Sequence, residues 1–181
     1  MNKILDISAA VAYIENRSRA VTPTPKLNIE IRPYRSADAA SFRELNEEWI
    51  AKYFQIEDQD RRVLEDPEGH VLARGGRIYI VTADELPIGC CALIPAEPGV
   101  FELGKMSVAE TCRGLGIGRK LLEYTIAEAK AMGAKTLCLA SNSRLANAVH
   151  LYESVGFRHL PPERVAPSPY ARSNVFMDLE L

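Results

Sequence analysis

Three glycines within five residues, in the run Arg113-Gly114-Leu115-Gly116-Ile117-Gly118-Arg119-Lys120, are the part of this sequence best suited to binding an anion. They stand between an apolar run, Val100 to Val108, that reads as a strand and a stretch in which Leu121, Leu122, Thr125, Ala129 and Met132 recur at helical spacing. A strand-to-helix turn of this kind aims several unpaired backbone N–H groups at one point, at the positive end of the helix dipole. That point suits a pyrophosphate. A side chain at Gly116 or Gly118 would crowd the phosphate away from the amides and restrict the turn. Arg113, Arg119 and Lys120 can add cationic contacts.

Two rival glycine loops are tested by the letters. A dinucleotide fingerprint needs a third glycine where Arg119 stands, and no suitable acidic residue closes a following strand. A nucleoside-triphosphate loop needs Gly-Lys followed by Ser or Thr, whereas Gly118 is followed by Arg-Lys-Leu, which leaves no hydroxyl for magnesium. A tight turn without any ligand explains the glycines equally well when they are taken alone. Residues elsewhere must decide.

The elements that position this loop can be read along the chain. Its 181 residues suffice for one domain with a real core and are too few for two ordinary ones. With 47% hydrophobic and 25% charged residues, the composition is that of a folded globular protein. Lys and Arg number 22 against 24 Asp and Glu, and a formal charge of -2 offers no overall field for nucleic acid or an anionic membrane. No apolar run approaches the roughly 18 residues of a membrane span. Asp6 and Glu15 interrupt the N-terminal apolar stretch, so it does not read as a secretion signal. The expected location is the cytoplasm, with the four cysteines reduced. Neither the cysteines nor His70, His150 and His159 show metal-ligand spacing, and no metal is expected.

Ile4, Ile7, Val11 and Ile14 fall at helical spacing before a Thr-Pro-Thr-Pro stretch, so residues 1–27 read as a short helix and a stiff linker. That helix either packs on its own domain or docks to another subunit, and a homodimer stays open. From Asn28 the pattern is a strand at Ile29 and Ile31, a helix N-cap at Ser36, and a helix through Phe42, Leu45 and Trp49. A second polar helix through Asp60 to Leu64 ends at Asp66-Pro67-Glu68-Gly69. Strands follow at Arg77–Thr82, Ile88–Ile94 and Val100–Val108, then the loop helix, closed by Gly133 in a left-handed cap. Lys135–Ala140 is a strand, and Leu145, Val149 and Tyr152 mark a helix stopped by Gly156. Short strands at Phe157–Leu160 and Val175–Leu181 complete the order. Runs of antiparallel strands around one βαβ unit predict an α+β fold, a mixed sheet with helices on its faces.

The Arg113-x-x-Gly116-x-Gly118 loop, with Asn142 and the segment Ala148-Val-His-Leu-Tyr152-Glu-Ser-Val-Gly156-Phe157, resembles the GNAT superfamily of N-acetyltransferases over roughly residues 28–181. The second segment is the more specific part, since both its letters and its distance from the loop match. The resemblance implies a mixed, mostly antiparallel sheet with helices on both faces. It also implies acetyl-CoA in a wedge where the strand before the loop splays from the strand after its helix. Backbone groups of Met106, Ser107 and Val108 would then meet the thioester and pantetheine, residues 113–119 would hold the pyrophosphate, and Asn142 would lie at a cofactor-contacting position. The second Asn frequent in the family, three residues before Ala148, is Leu145 here.

Acetyl transfer needs an unprotonated amine, a polarised thioester and a proton for the departing thiolate. Glu102, on the strand entering the loop, stands where some family members keep a general base; an ordinary strand residue paired with Lys105 is the competing reading. Tyr152 reads as a core aromatic by its stripe, and the resemblance makes it the general acid. The backbone N–H of Met106 would stabilise the developing oxyanion, with direct transfer in a ternary complex and Cys112 as a passive loop thiol. The acceptor, an amine of a small molecule, amino acid or peptide, would meet Trp49, Tyr53, Phe54 and Glu57, with Tyr170 and Arg172 close by. The alternative is a non-catalytic acyl-CoA-binding or interaction domain.

Overall fold

The computed structural model describes residues 28–181, so the helix and linker expected within 1–27 lie outside the described residues. Its elements are β1 (Ile29–Pro33), α1 (Ala39–Tyr53), α2 (Asp58–Glu65), β2 (Arg77–Ala83), β3 (Leu86–Glu97), β4 (Val100–Val108), α3 (Ile117–Ala131), β5 (Thr136–Ser141), α4 (Ala146–Ser154), β6 (Arg158–His159) and β7 (Val175–Glu180). The strands form one sheet in the order β1-β2-β3-β4-β5-β7-β6, antiparallel at every pairing except β4 with β5. The α+β class and the element order expected from the sequence are those observed.

Period-two alternation puts the two neighbouring cysteines on opposite faces. Cys90 meets Asn46 of α1, whose Nδ2 lies 3.3 Å from its Sγ, while Cys91 meets Thr125 of α3. Helices therefore cover both faces. On one, Phe42, Leu45 and Ile50 of α1 are buried, each contributing about 1.5–3 kcal/mol. On the other, Leu121, Leu122, Thr125 and Ala129 of α3 are buried, and Tyr79 of β2 packs edge-on against Tyr124 and donates to Glu128 at 3.2 Å.

Turn chemistry differs from expectation at the entry to α1. Ser36 is not the cap of α1: it opens a short 3-10 turn, Ser36–Asp38, whose entry is fixed by the Asp38 carboxylate accepting from Arg35 N–H at 2.7 Å and from Arg32. Ser36 is thus the first residue inside the turn, and an ionised carboxylate that also pairs with a guanidinium ties the turn back to Arg35. The β2–β3 hairpin turns on Asp84 and Glu85, both at positive φ without a glycine, and the Asp84 carboxylate accepts from Asn28 N–H at 3.0 Å. Gly133 and Gly156 end α3 and α4 at φ 81° and 106°, as their sequence positions predict.

Candidate functional site

The central feature is a parting of strands. β4 and β5 share only three rungs, Val100–Thr136, Phe101–Leu137 and Glu102–Cys138, and diverge beyond them. A cleft of about 600 Å³ opens there, lined by Glu102, Met106, Ser107, Val108, Arg113, Gly114 and Gly118 from the strand and the glycine turn. Asn142, Tyr152, Trp49, Tyr53, Phe54, Tyr170 and Arg172 line its other sides. On its other edge β4 carries a bulge: Gly104 pairs with Ala92 and Ser107 with Cys90, so Lys105 and Met106 together oppose Cys91.

Gly114 and Gly116 stand at φ 78° and 76°, and Gly116 is the N-cap residue of α3. The turn therefore needs glycine at 114 and 116. Gly118 has no positive φ, so the backbone conformation does not by itself demand glycine there. A Cβ there would lie 3.6 Å from Leu151, 3.9 Å from Val108 and 4.0 Å from Met106, where α3, α4 and β4 meet at the cleft. Ile117 anchors the turn in the core, and Leu115 is 64% exposed. Arg113 donates from Nε to Val108 O at 3.0 Å, and Arg119 reaches Ser154 Oγ at 2.7 Å and Glu123 at 3.5 Å. Lys120 is exposed.

Glu102 faces the cleft with no hydrogen bond from any described residue. Burial pushes its carboxyl above the usual range, against the opposing pull of the Lys105 charge. The pair between these two, one reading of the sequence, is not formed. Lys105 instead bonds Asp60 Oδ1 at 2.7 Å and Tyr170 OH at 2.9 Å. Tyr152 lines the cleft with its hydroxyl unpartnered among the described residues and its ring edge-on to Phe157, so packing and cleft roles coincide. Burial raises its phenol well above the ordinary value.

The acceptor-side wall rests on charges that sequence reading missed. Asp60, at the start of the stretch read from sequence as a polar helix, is fully buried and accepts from Arg172 Nη1 at 2.6 Å, Arg172 Nη2 at 2.8 Å, Lys105 and Glu57 N–H. Burial works to raise its pKa, but the bonds from Arg172 and the charge of Lys105 outweigh it and hold the carboxyl below the usual range. Glu57 takes Ala171 N–H at 2.7 Å and Arg172 Nη1 at 2.9 Å. Glu57 and Arg172 are thus bound to each other and build the wall. The only sequence signal was a lysine within an apolar strand.

Trp49 packs edge-on to Phe54 with ring centroids 6.4 Å apart, and Arg144 covers Phe54 at 5.2 Å while donating to Tyr53 O at 2.8 Å. Asn142 is occupied: its Nδ2 donates to Arg172 O and its Oδ1 accepts from Arg144 N–H at 2.8 Å. Ser107 likewise turns its hydroxyl away to Leu45 O at 2.7 Å. Among the described residues no cluster of His, Cys, Asp and Glu could hold a metal ion. Cys112 is 3% exposed, and burial pushes the Cys91 thiol up to about 12 and that of Cys138 to about 11.

Residues 74–159 match the acetyltransferase (GNAT) domain family. An uncharacterised N-acetyltransferase of Schizosaccharomyces pombe is 33% identical over 107 residues, 58% of this chain and 64% of that protein. The chain thus spans less than two thirds of the curated relative it matches. Among solved structures, an acetyltransferase of the GNAT family from Staphylococcus aureus Mu50 superposes with a TM-score of 0.77 at 23% identity, covering 84% of this chain and 99% of that one. The PaiA N-acetyltransferase of Thermoplasma acidophilum in complex with coenzyme A superposes with a TM-score of 0.67 at 20% identity, over 85% and 99%. A sheet that opens at the same point as its glycine turn, a match over residues 74–159 and a shared overall shape agree with one another, and that segment carries the acetyltransferase (GNAT) domain.

Proposed function

We propose that the protein is an acetyl-CoA-dependent N-acetyltransferase that moves an acetyl group directly to a primary amine of a small molecule, amino acid or peptide. The observation that carries this reading is the opening of β4 from β5 directly after Glu102, with the cleft running on to the N-terminus of α3. The residues present suit acetyl-CoA. Beyond Glu102 the β5-side edge of β4 is open for an extended amide-bearing arm, and the space a Cβ would take at Gly118 is left clear beside Met106 and Val108. Gly114 to Arg119 would hold the pyrophosphate on backbone N–H groups and the helix dipole, with Arg113 adding charge.

Bound acetyl-CoA supplies the activated acyl group. Glu102, half-buried and with its carboxylate unpartnered among the described residues, takes the proton of the amine directly or through one water. The N–H of Met106 stabilises negative charge as it develops on the acyl oxygen, a service worth about 3–4 kcal/mol in other acyl transfers. Tyr152 gives its proton to the departing thiolate. Its raised pKa keeps that proton in place at neutral pH. Trp49, Tyr53 and Phe54 form the aromatic floor on which the acceptor lies, with Tyr170 at its edge. Direct transfer is supported by the nearby thiols among the described residues: Cys112 is buried, and burial keeps Cys138, beside Glu102, a thiol.

Thermal stabilisation by acetyl-CoA, set against NAD and ATP, tests the donor; thiol release across an amine panel tests turnover. Stabilisation by acetyl-CoA alone and release with at least one amine are expected. Binding with no turnover on any amine would make the chain a non-catalytic acyl-CoA-binding domain, and absence of binding removes both.

A further inference from the structure

The strand that carries Glu102 also carries a residue under backbone strain. Lys105 stands at φ 50°. The other non-glycine residues at positive φ among those described, Asp84 and Glu85, form the two-residue hairpin turn where such angles are usual. Outside such turns a residue with a Cβ loses about 1–2 kcal/mol in the left-handed conformation. Glycine would adopt it freely, so a lysine at 105 is there for its side chain.

That side chain is an anchor. It is 5% exposed, and its ammonium is bonded to Asp60 of α2 and to the hydroxyl of Tyr170, in the segment before β7. Asp60 is in turn clamped by both terminal nitrogens of Arg172. The restraint on the bulge therefore comes from outside the sheet. Met106, the next residue, shares the bulge opposite Cys91 and lies on the stretch of β4 that no longer pairs with β5.

We propose that Lys105 is a positioning residue: its tie to Asp60 and Tyr170 holds the bulge in the left-handed form, and the bulge aims the N–H of Met106 at the acyl oxygen. The proposal rests on the acetyl-transfer reading above. It differs from an ordinary buried ion pair, which would affect stability and leave the thioester untouched.

Two substitutions separate the tie from the backbone conformation. Lys105→Met removes the ammonium and keeps the strain; Lys105→Gly removes both. The probe is acetyl-CoA isotope-labelled at its carbonyl carbon, bound to the full chain and read by isotope-edited infrared spectroscopy, which needs no acceptor. In the unsubstituted chain the bound carbonyl should absorb at lower frequency than the free one. In Lys105→Met it should return to the free position, and in Lys105→Gly it should stay low. With an amine that supports turnover, kcat of Lys105→Met should fall about 10²-fold, the loss on removing one oxyanion donor, with KM for acetyl-CoA little changed. Should Lys105→Met fail to fold, Asp60→Asn weakens the same tie at nearly constant shape and takes its place in the comparison. An unshifted carbonyl in the unsubstituted chain, an unchanged one in Lys105→Met, or equal loss in the Met and Gly variants overturns the proposal. Failure of the unsubstituted chain to bind acetyl-CoA overturns the reading beneath it.

Discussion

Glu102 and Cys138 form the last rung between β4 and β5, so the carboxylate stands at the point where the sheet opens. Its surroundings among the described residues bury it without a hydrogen-bond donor, which sets its carboxyl above the usual range against the pull of the nearby Lys105 charge. A base in this state works only once ionised, so the rate should rise with pH through that elevated value. Glu102→Gln should lower kcat by about 10²–10⁴-fold and abolish that acidic limb. Because burial disfavours the charged form, stability falls as pH rises from the unfolded pKa of this carboxyl to its higher folded one and the loss is complete above it, so the Gln variant should keep or raise Tm at neutral pH. A pH–rate profile with a thermal melt checks both.

Tyr152→Phe separates packing from proton donation. The ring contact with Phe157 survives the change, and the hydroxyl has no partner among the described residues, so stability should stay within about 0.5 kcal/mol. Thiolate departure would lose its acid, and kcat should fall by about 10²-fold. An unchanged kcat with an unchanged Tm would reduce Tyr152 to a core aromatic.

Much of this site was legible because it depends on local sequence. The glycine turn declares itself through Gly114 and Gly116, whose positive φ few other residues accept, and α3 through its apolar stripe. What stayed hidden depends on distance. Asp60 lies in a helix rich in charge, where solvent exposure is the natural reading, and only the fold brings Lys105 and Arg172, 45 and 112 residues away, around it. Asn142 shows the same limit. It lines the cleft, and only the fold shows that its amide also bonds Arg172 O and Arg144 N–H. The Ser36 cap failed because the helical turn already begins at Ser36, after Arg35, whose N–H the Asp38 carboxylate accepts.

Gly116 and Gly118 should respond differently to alanine. At Gly116 the space is open but φ is 76°, so Gly116→Ala should cost about 1–2 kcal/mol of stability through backbone strain. At Gly118 the added Cβ meets its neighbours at ordinary distances, so the fold should tolerate it while the methyl narrows the cleft beside Met106 and Val108. Acetyl-CoA affinity should then fall with Tm retained. Paired melts and binding isotherms decide, and equal Tm losses would show that the two glycines serve the same end.

Asp60 is the keystone of the acceptor-side wall. Asp60→Ala leaves Lys105 and Arg172 as uncompensated charges in a buried place, and a loss of about 3–5 kcal/mol is expected. Asp60→Asn keeps two acceptor lone pairs and should lose less. The pH dependence has a definite sign. The folded-state carboxyl is held below its unfolded value of about 3.9, so its stabilisation is complete above that pH and is lost as pH falls through the lower folded value. Unfolding free energy measured in urea from neutral pH down to acid should therefore decline below about pH 4 in the unsubstituted chain. The decline should be shallower in Asp60→Asn, which has no proton to gain there. Parallel curves for the two proteins would mean that other carboxylates govern acid unfolding and that the Asp60 cluster is not under strong electrostatic restraint.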